Sequence, residues 1–182
     1  MIPSEPFAFD FERLFNFRLW KLSALAGAPV IRLCEGRYGV TRREWRLLAA
    51  LARDGASSPS ALADRCSLDR VRTSRAIGSL VAKGLIERAV AANDPRRATV
   101  RLSASGNALV QEIAPIIADI NARVLAALDG AQQELLDEFL TRLTDVAAQV
   151  NQELATDVRA TRHAGGARRV WQAVETRKAT GR

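Results

Sequence analysis

Histidine is almost missing from this chain: the only one is His163. A zinc site of the usual His/Cys type needs several such ligands, and a Ser–His or Cys–His nucleophile needs its base, so both chemistries are disfavoured. Cysteine is scarce as well. Cys34 and Cys66 cannot make a disulfide framework, which points to a reducing compartment. No apolar run approaches the about 20 residues that cross a bilayer, and the chain shows no secretory signal. No glycine-rich phosphate loop of the GxxxxGK[ST] form is present. These absences predict a cytoplasmic protein without membrane, metal, cofactor or catalytic site, and not an enzyme.

What the chain has is positive charge in two places. Lys and Arg number 27 against 20 Asp and Glu in 182 residues, a net charge of +7. Between Ser67 and Arg101 eight basic residues face three acidic ones, and from Thr156 to Arg182 seven face two. Each stretch carries +5, so the remainder is slightly acidic. Charge concentrated in this way draws a protein to polyanions.

Apolar spacing of three and four residues predicts a helix from about Asp10, through Phe11, Leu14, Phe15, Leu22 and Leu25 to about Arg37, kinked or restarted at Pro29. Thr41 and Glu44 form a capping-box signature for a helix over 42–53, with Trp45, Leu48, Ala49 and Ala52 on one face. Ser58-Pro59 starts a short helix with Leu62 and Ala63 inward. Ser67 is the expected cap of the next helix, which runs to Lys83 with Thr73, Ile77, Leu80 and Val81 facing the core, and Gly84 stops it. Residues 85–88 and 98–102 read as strands around an Asn93-Asp94-Pro95 turn. Ser103 to Gly106 opens a long helix to about Leu128, bent near Pro115. Gly130 separates it from a last helix, 132–154, whose stripe runs through Leu135, Leu136, Phe139, Leu140, Leu143, Val146, Ala147 and Val150.

A short helix, a tight turn and a second helix make a helix-turn-helix, whose second helix presents its first residues to the major groove. Arg70, Arg72 and Arg75 point outward from that helix, and the guanidinium fork suits both guanine edges and phosphates. Arg96 and Arg97 stand at the tip of the hairpin, in reach of an adjacent minor groove, with Asp94 placed to brace Arg96. The competing reading of these arginines is a solvated charged face.

The stretch SPSALADRCSLDRVRTSRAIGSLVAKGLIER, the D-x-R motif Asp94-Pro95-Arg96, and V-x-L-[ST]-x-x-G at Val100, Leu102, Ser103 and Gly106 resemble the MarR family of winged-helix transcription regulators. GVTRREWRLLAAL resembles that family's second helix, and the likeness covers about Phe11 to Gln152. It implies a mainly α fold, a winged helix-turn-helix with a β-hairpin wing, and long N- and C-terminal helices that form the dimerisation domain of a homodimer. It implies double-stranded DNA, a pseudo-palindromic operator, as partner, contacted by Arg70, Arg72, Thr73, Ser74 and Arg75 of the recognition helix and by Asp94, Arg96 and Arg97 of the wing. The departures are Ser103 where the family often has Thr, D-P-R with a second arginine for D-[RK]-R, and a basic tail outside the likeness.

The division implied is an N-terminal arm and dimerisation helix (1–38), a DNA-binding domain (39–103), dimerisation helices (104–154) and a basic tail (155–182). The tail is either an arm adding phosphate contacts or a solvated terminus. The resemblance further implies a repressor released by a small aromatic or phenolic effector held between the dimer helices and the DNA-binding lobe. Arg18, Trp20, Arg32, Trp45 and Arg46 are the candidate ligand contacts, since an arginine beside a ring suits an aromatic carboxylate. The Glu44-Trp45-Arg46 segment also admits the acyl-CoA thioester of such an acid. Two alternatives stay open: a thiol switch at Cys34 or Cys66, and a non-specific architectural DNA-binding protein.

Overall fold

The computed structural model describes residues 10–91 and 94–157. A short 3-10 turn, Phe11–Arg13, leads into α1 (Phe15–Arg32), followed by a wide π-type turn, Leu33–Arg37. Then come α2 (Arg42–Asp54), α3 (Pro59–Arg65), α4 (Arg70–Ala82), the hairpin strands β1 (Ile86–Ala91) and β2 (Asp94–Leu102), α5 (Ala104–Leu125) and α6 (Gly130–Asp157). The fold is mainly helical with one small antiparallel sheet, a winged helix. The tail from 158 onward lies outside the described residues.

The core belongs to the winged-helix lobe. Leu47 and Leu48 of α2, Leu62 of α3 and Leu80 of α4 are fully buried, joined by Val100 of β2 and Ile113 of α5. Each such side chain contributes about 1.5–3 kcal/mol on leaving water. The buried face of α2 is Glu44, Leu47, Leu48 and Leu51, not the expected Trp45, Leu48, Ala49 and Ala52. Leu48 is common to both faces; Leu47 and Leu51 take the inward places, and the helix is rotated so that Trp45 is half-buried and Ala52 exposed. On α4, Ala76 takes the inward place expected of Val81, which is 40% exposed.

The local signals act largely where the sequence puts them. Thr41 and Glu44 close a reciprocal capping box, and Ser58 accepts from the Ala61 N–H with Pro59 in the first turn. Gly84, at φ 67°, ends α4, and the next N–H, of Leu85, turns back to the Leu80 carbonyl at 3.0 Å. Ser67 does not cap α4. It adopts φ 52° in the turn, Leu68 packs against the core, and Asp69 accepts from the Arg72 N–H instead. Neither Pro29 nor Pro115 ends its helix. Gly130 is the first residue of α6, because Asp129 and Gln132 cap each other reciprocally at 3.0 and 2.9 Å.

The hairpin is longer than its sequence signal. Asp94 and Pro95 belong to β2, and Asn93 lies outside the described residues. Val90 pairs with Ala98 but Ala91 with Asp94, so residues 95–97 bulge from the ladder, a setting that tolerates a strand proline. A third segment joins the wing: Ser57 exchanges two backbone hydrogen bonds with Val100, at 3.0 and 2.8 Å. Glu44, only 3% exposed at its side chain, ties α2 to the end of α4 through Lys83, whose ammonium donates to both carboxylate oxygens at 2.9 Å and to the Gly39 carbonyl at 2.7 Å.

Outside the lobe, α1, the outer part of α5 and α6 form a helical stem. Leu135, Phe139, Leu140, Leu143, Val146, Val150 and Leu154 of α6 are all exposed, as are Phe15, Leu19, Trp20, Leu22 and Leu25 of α1.

Candidate nucleic-acid interface

The exposed half of α4 is built by its cap. Asp69 accepts from the Arg72 backbone N–H at 2.7 Å and from the same residue's guanidinium Nε at 3.2 Å. One carboxylate therefore fixes both the start of the helix and the aim of one arginine. Arg70, Arg72, Ser74 and Arg75 are exposed, and the first turn of α4 holds no acidic residue. The unpaired N–H groups of a helix start, together with three guanidiniums, make a surface that attracts phosphate. Thr73 leaves this set: it is 1% exposed, and its hydroxyl donates to the Asp69 carbonyl at 2.8 Å.

The wing contributes Arg88, exposed on β1, and Arg101, bound to Glu87 directly opposite it at 2.7 Å. Asp94, Arg96 and Arg97 lie on β2 at the bulge, but their side chains fall outside the described residues, and with them the bracing of Arg96 by Asp94.

The five candidate ligand contacts divide between two places. Trp45 and Arg46 line a cleft of about 450 Å³ between α2 and the turn of the helix-turn-helix, together with Arg53, Arg65, Cys66 and Ser67. Arg18, Trp20 and Arg32 are exposed on α1 and do not line it. Trp20 instead stacks with Phe17, 5.7 Å between centroids, and Phe17 with Phe11 at 4.5 Å. The i, i+7 spacing of Arg46 and Arg53 on α2 is the sequence signal that could have added Arg53 to the cleft. Arg65 and Ser67 had none.

Beside the cleft, Asp54 binds Arg53 at 3.0 and 2.9 Å and Arg65 at 3.2 Å. The Arg53 hydrogen bond above all holds the Asp54 carboxyl below the usual range. Burial pushes the Cys66 thiol up, against the opposing pull of Arg46 and Arg53, and its S–H lies 3.5 Å from the Arg46 carbonyl. Cys34 is wholly buried, and burial followed by Glu35 raises it as well. A thiol switch requires thiolate, and both environments oppose it. Among the described residues no cluster of His, Cys, Asp or Glu could hold a metal ion, and no helix is long and apolar enough to cross a membrane.

The sequence model of the MarR family matches residues 38–97, the segment from the end of the π turn to the wing bulge. Over that segment the chain is similar to the MarR family. The chain is 25% identical over 112 residues to the HTH-type transcriptional regulator FarR of Neisseria gonorrhoeae, a match covering 62% of this chain and 77% of FarR. Its fold is similar to that of a probable transcriptional regulator from Pseudomonas aeruginosa, with 26% identity, a TM-score of 0.63, and 72% and 98% of the two chains covered. A MarR family regulator from Silicibacter pomeroyi gives a TM-score of 0.67 at 23% identity, covering 80% and 98%. The family and these relatives are transcriptional regulators rather than enzymes.

Proposed function

We propose that this protein is a regulator of the MarR type, a homodimeric, sequence-specific repressor that leaves its operator when a small aromatic or phenolic effector, free or as an aromatic acyl-CoA, binds. The observation that carries the proposal is the exposed first half of α4, where Arg70, Arg72 and Arg75 outnumber the single cap carboxylate of Asp69. In this reading residues 39–103 bind DNA: Arg70, Arg72, Ser74 and Arg75 enter the major groove, and Arg96 and Arg97 contact the flank. Residues 1–38 and 104–154 form the dimer, which would cover the apolar stripes of α1 and α6, and the basic tail 155–182 adds phosphate contacts. Two such subunits would read half-sites about one helical turn apart, roughly 34–36 Å.

Support for an aromatic effector comes from proteins of the same fold. NadR was solved in complex with 4-hydroxyphenylacetate, and DNA binding by BpsR of Bordetella bronchiseptica is regulated by 6-hydroxynicotinic acid. MepR of S. aureus was solved with DNA.

Fluorescence anisotropy on the protein's own upstream DNA and on scrambled DNA, at two salt concentrations, tests the proposal. A preference of about a thousandfold or more for the native DNA, within the usual specific-to-non-specific range, is expected. Equal affinity for both DNAs, vanishing at high salt, would sink it in favour of an architectural protein.

A further inference from the structure

We infer that the outward face of α4 is divided: Val71, Ser74, Arg75 and Gly78 meet base edges, Arg70 and Arg72 meet the two phosphate backbones, and Val71 selects a thymine. The inference rests on the DNA-binding reading above and names what that site selects.

Helix geometry comes first. Thr73, Ala76, Ile77 and Leu80, at i, i+3, i+4 and i+7, form the buried stripe of α4. Val71, Ser74, Arg75 and Gly78 repeat that spacing, and all four are exposed. At about 100° per residue the centres of the two stripes lie roughly 160° apart, so the second stripe looks away from the core. Arg70 and Arg72 fall roughly 100° to either side of it. Asp69 holds the Arg72 Nε at 3.2 Å and draws that guanidinium toward the helix start, off the middle of the face. A helix laid in the major groove with its core behind it turns the outer stripe to the floor. Its flanking arginines then face the walls, where the phosphates stand.

The floor-facing stripe is chemically uneven. Val71 is 63% exposed, and among the described residues of the lobe only Val81 joins it as an exposed large apolar side chain. The thymine C5-methyl is the one apolar group that base edges present in the major groove. Val71 offers two methyls on a stiff β-branched stem between two arginines, which suits that group. It gains nothing from cytosine, which presents an amine donor and no methyl. Arg75, one turn on, carries the fork that fits O6 and N7 of guanine. Four residues of helix rise about 6 Å, close to two base-pair steps, so the thymine and the guanine stand about two base pairs apart in each half-site.

Gly78 supplies the depth. A Cβ added there meets nothing within 4 Å, and its φ is not left-handed. Neither packing nor backbone conformation calls for glycine at this place in mid-helix, where it is unfavourable relative to alanine. Bare backbone one turn beyond Ser74 lets α4 sink toward the groove floor. Val71 needs that depth, because apolar contact requires an approach to about 4 Å, whereas an arginine reaches further.

The test begins with duplexes that the full-length protein selects from a random pool, so it does not depend on where the natural operator lies. In the selected half-site each thymine is replaced in turn by deoxyuridine, which removes the C5-methyl and nothing else, and affinity is read by fluorescence anisotropy. One such replacement should weaken wild type about fourfold, as expected for one methyl-sized group taken from water. The same replacement should cost Val71→Ala less than about twofold, the coupling that marks a direct contact. Val71→Thr, which keeps one methyl, should retain part of the effect. Gly78→Leu should weaken every selected duplex about tenfold or more, yet melt at or above the wild-type temperature, because leucine favours the helix and nothing in the chain resists it. A packing role for Gly78 would lower that temperature instead. No thymine whose methyl matters to wild type overturns the assignment, and so does a methyl whose loss costs Val71→Ala as much as wild type. Unchanged affinity in Gly78→Leu overturns the close approach. A pool that converges on no sequence sinks the regulator reading itself, and this assignment with it.

Discussion

Leu47, Leu48, Leu62 and Leu80 in the lobe have no solvent exposure, whereas Leu135, Phe139, Leu143 and Val146 on α6 are 44–54% exposed. The residue types are nearly the same, and both sets recur at helical spacing. The difference lies in what each helix meets. The lobe closes on itself: α2, α3, α4, the wing and the middle of α5 share one cluster. Among the described residues the α6 stripe has no counterpart for most of its length. A continuous apolar face of this kind marks an association surface. A hydrophobic pattern therefore identifies the face a helix buries, but not whether its partner lies in the same chain.

Three perturbations sharpen that contrast. The largest effect is expected from Leu48→Ala, which should lower stability to urea by about 3 kcal/mol at any protein concentration, because the cavity opens inside a closed core. A concentration-dependent loss would place Leu48 in an interface instead. Next, Phe139→Glu combined with Val146→Glu should halve the mass found by light scattering and leave the helical circular dichroism of the lobe intact. A dimer mass that survives both charges would remove α6 from the proposed interface. The smallest effect is at Glu44. Burial raises its carboxyl, but hydrogen bonds from Ser79, the Thr41 backbone and Lys83 together hold it below the ordinary value. Its stabilisation is full above the ordinary glutamate range and is lost as pH falls through the lower, folded-state value. Glu44→Gln should cost about 1–2 kcal/mol at neutral pH, at the low end for a charged hydrogen bond because Lys83 reaches water. The gap to wild type should narrow in acid denaturation series. A gap that widens on acidification would reverse the assignment.

Much of the fold was legible because its signals are local. Thr41 with Glu44, Ser58 with Pro59, and Gly84 each act within a few residues of themselves, and each functions in place. The failures were contests between neighbours. Ser67 and Asp69 both have capping side chains, and the packing of Leu68 decided for Asp69. Trp45 and Leu47 compete for the core side of α2, and Leu47 with Leu51 took it. The Ser57–Val100 bridge and the convergence of Arg65 on Arg46 and Arg53 join residues far apart in sequence, and no periodicity announces them. Of the candidate site, the exposed arginines of α4 were legible from the wheel, since their outward position follows from the inward places of Ile77 and Leu80. The separation of Arg18, Trp20 and Arg32 from Trp45 was not, because it depends on how α1 lies against the lobe.

At the junction of β2 and α5, the Ser103 hydroxyl donates to the Gly84 carbonyl at 2.7 Å, and the Ser103 N–H donates to the Leu85 carbonyl at 3.1 Å. Gly106 lies so close to that same Leu85 carbonyl that any added Cβ would strike it. The root of α5 is thus riveted to the residues that end α4, with no slack for a side chain. A crank mounted so tightly transmits angle rather than absorbing it. Because Leu109, Val110, Ile113 and Ile117 also pack into the lobe core, α5 is seated along more than half of its 22 residues. The end of α4 and the start of α5 thus share one rigid frame, and α5 leaves that frame only beyond Ile117.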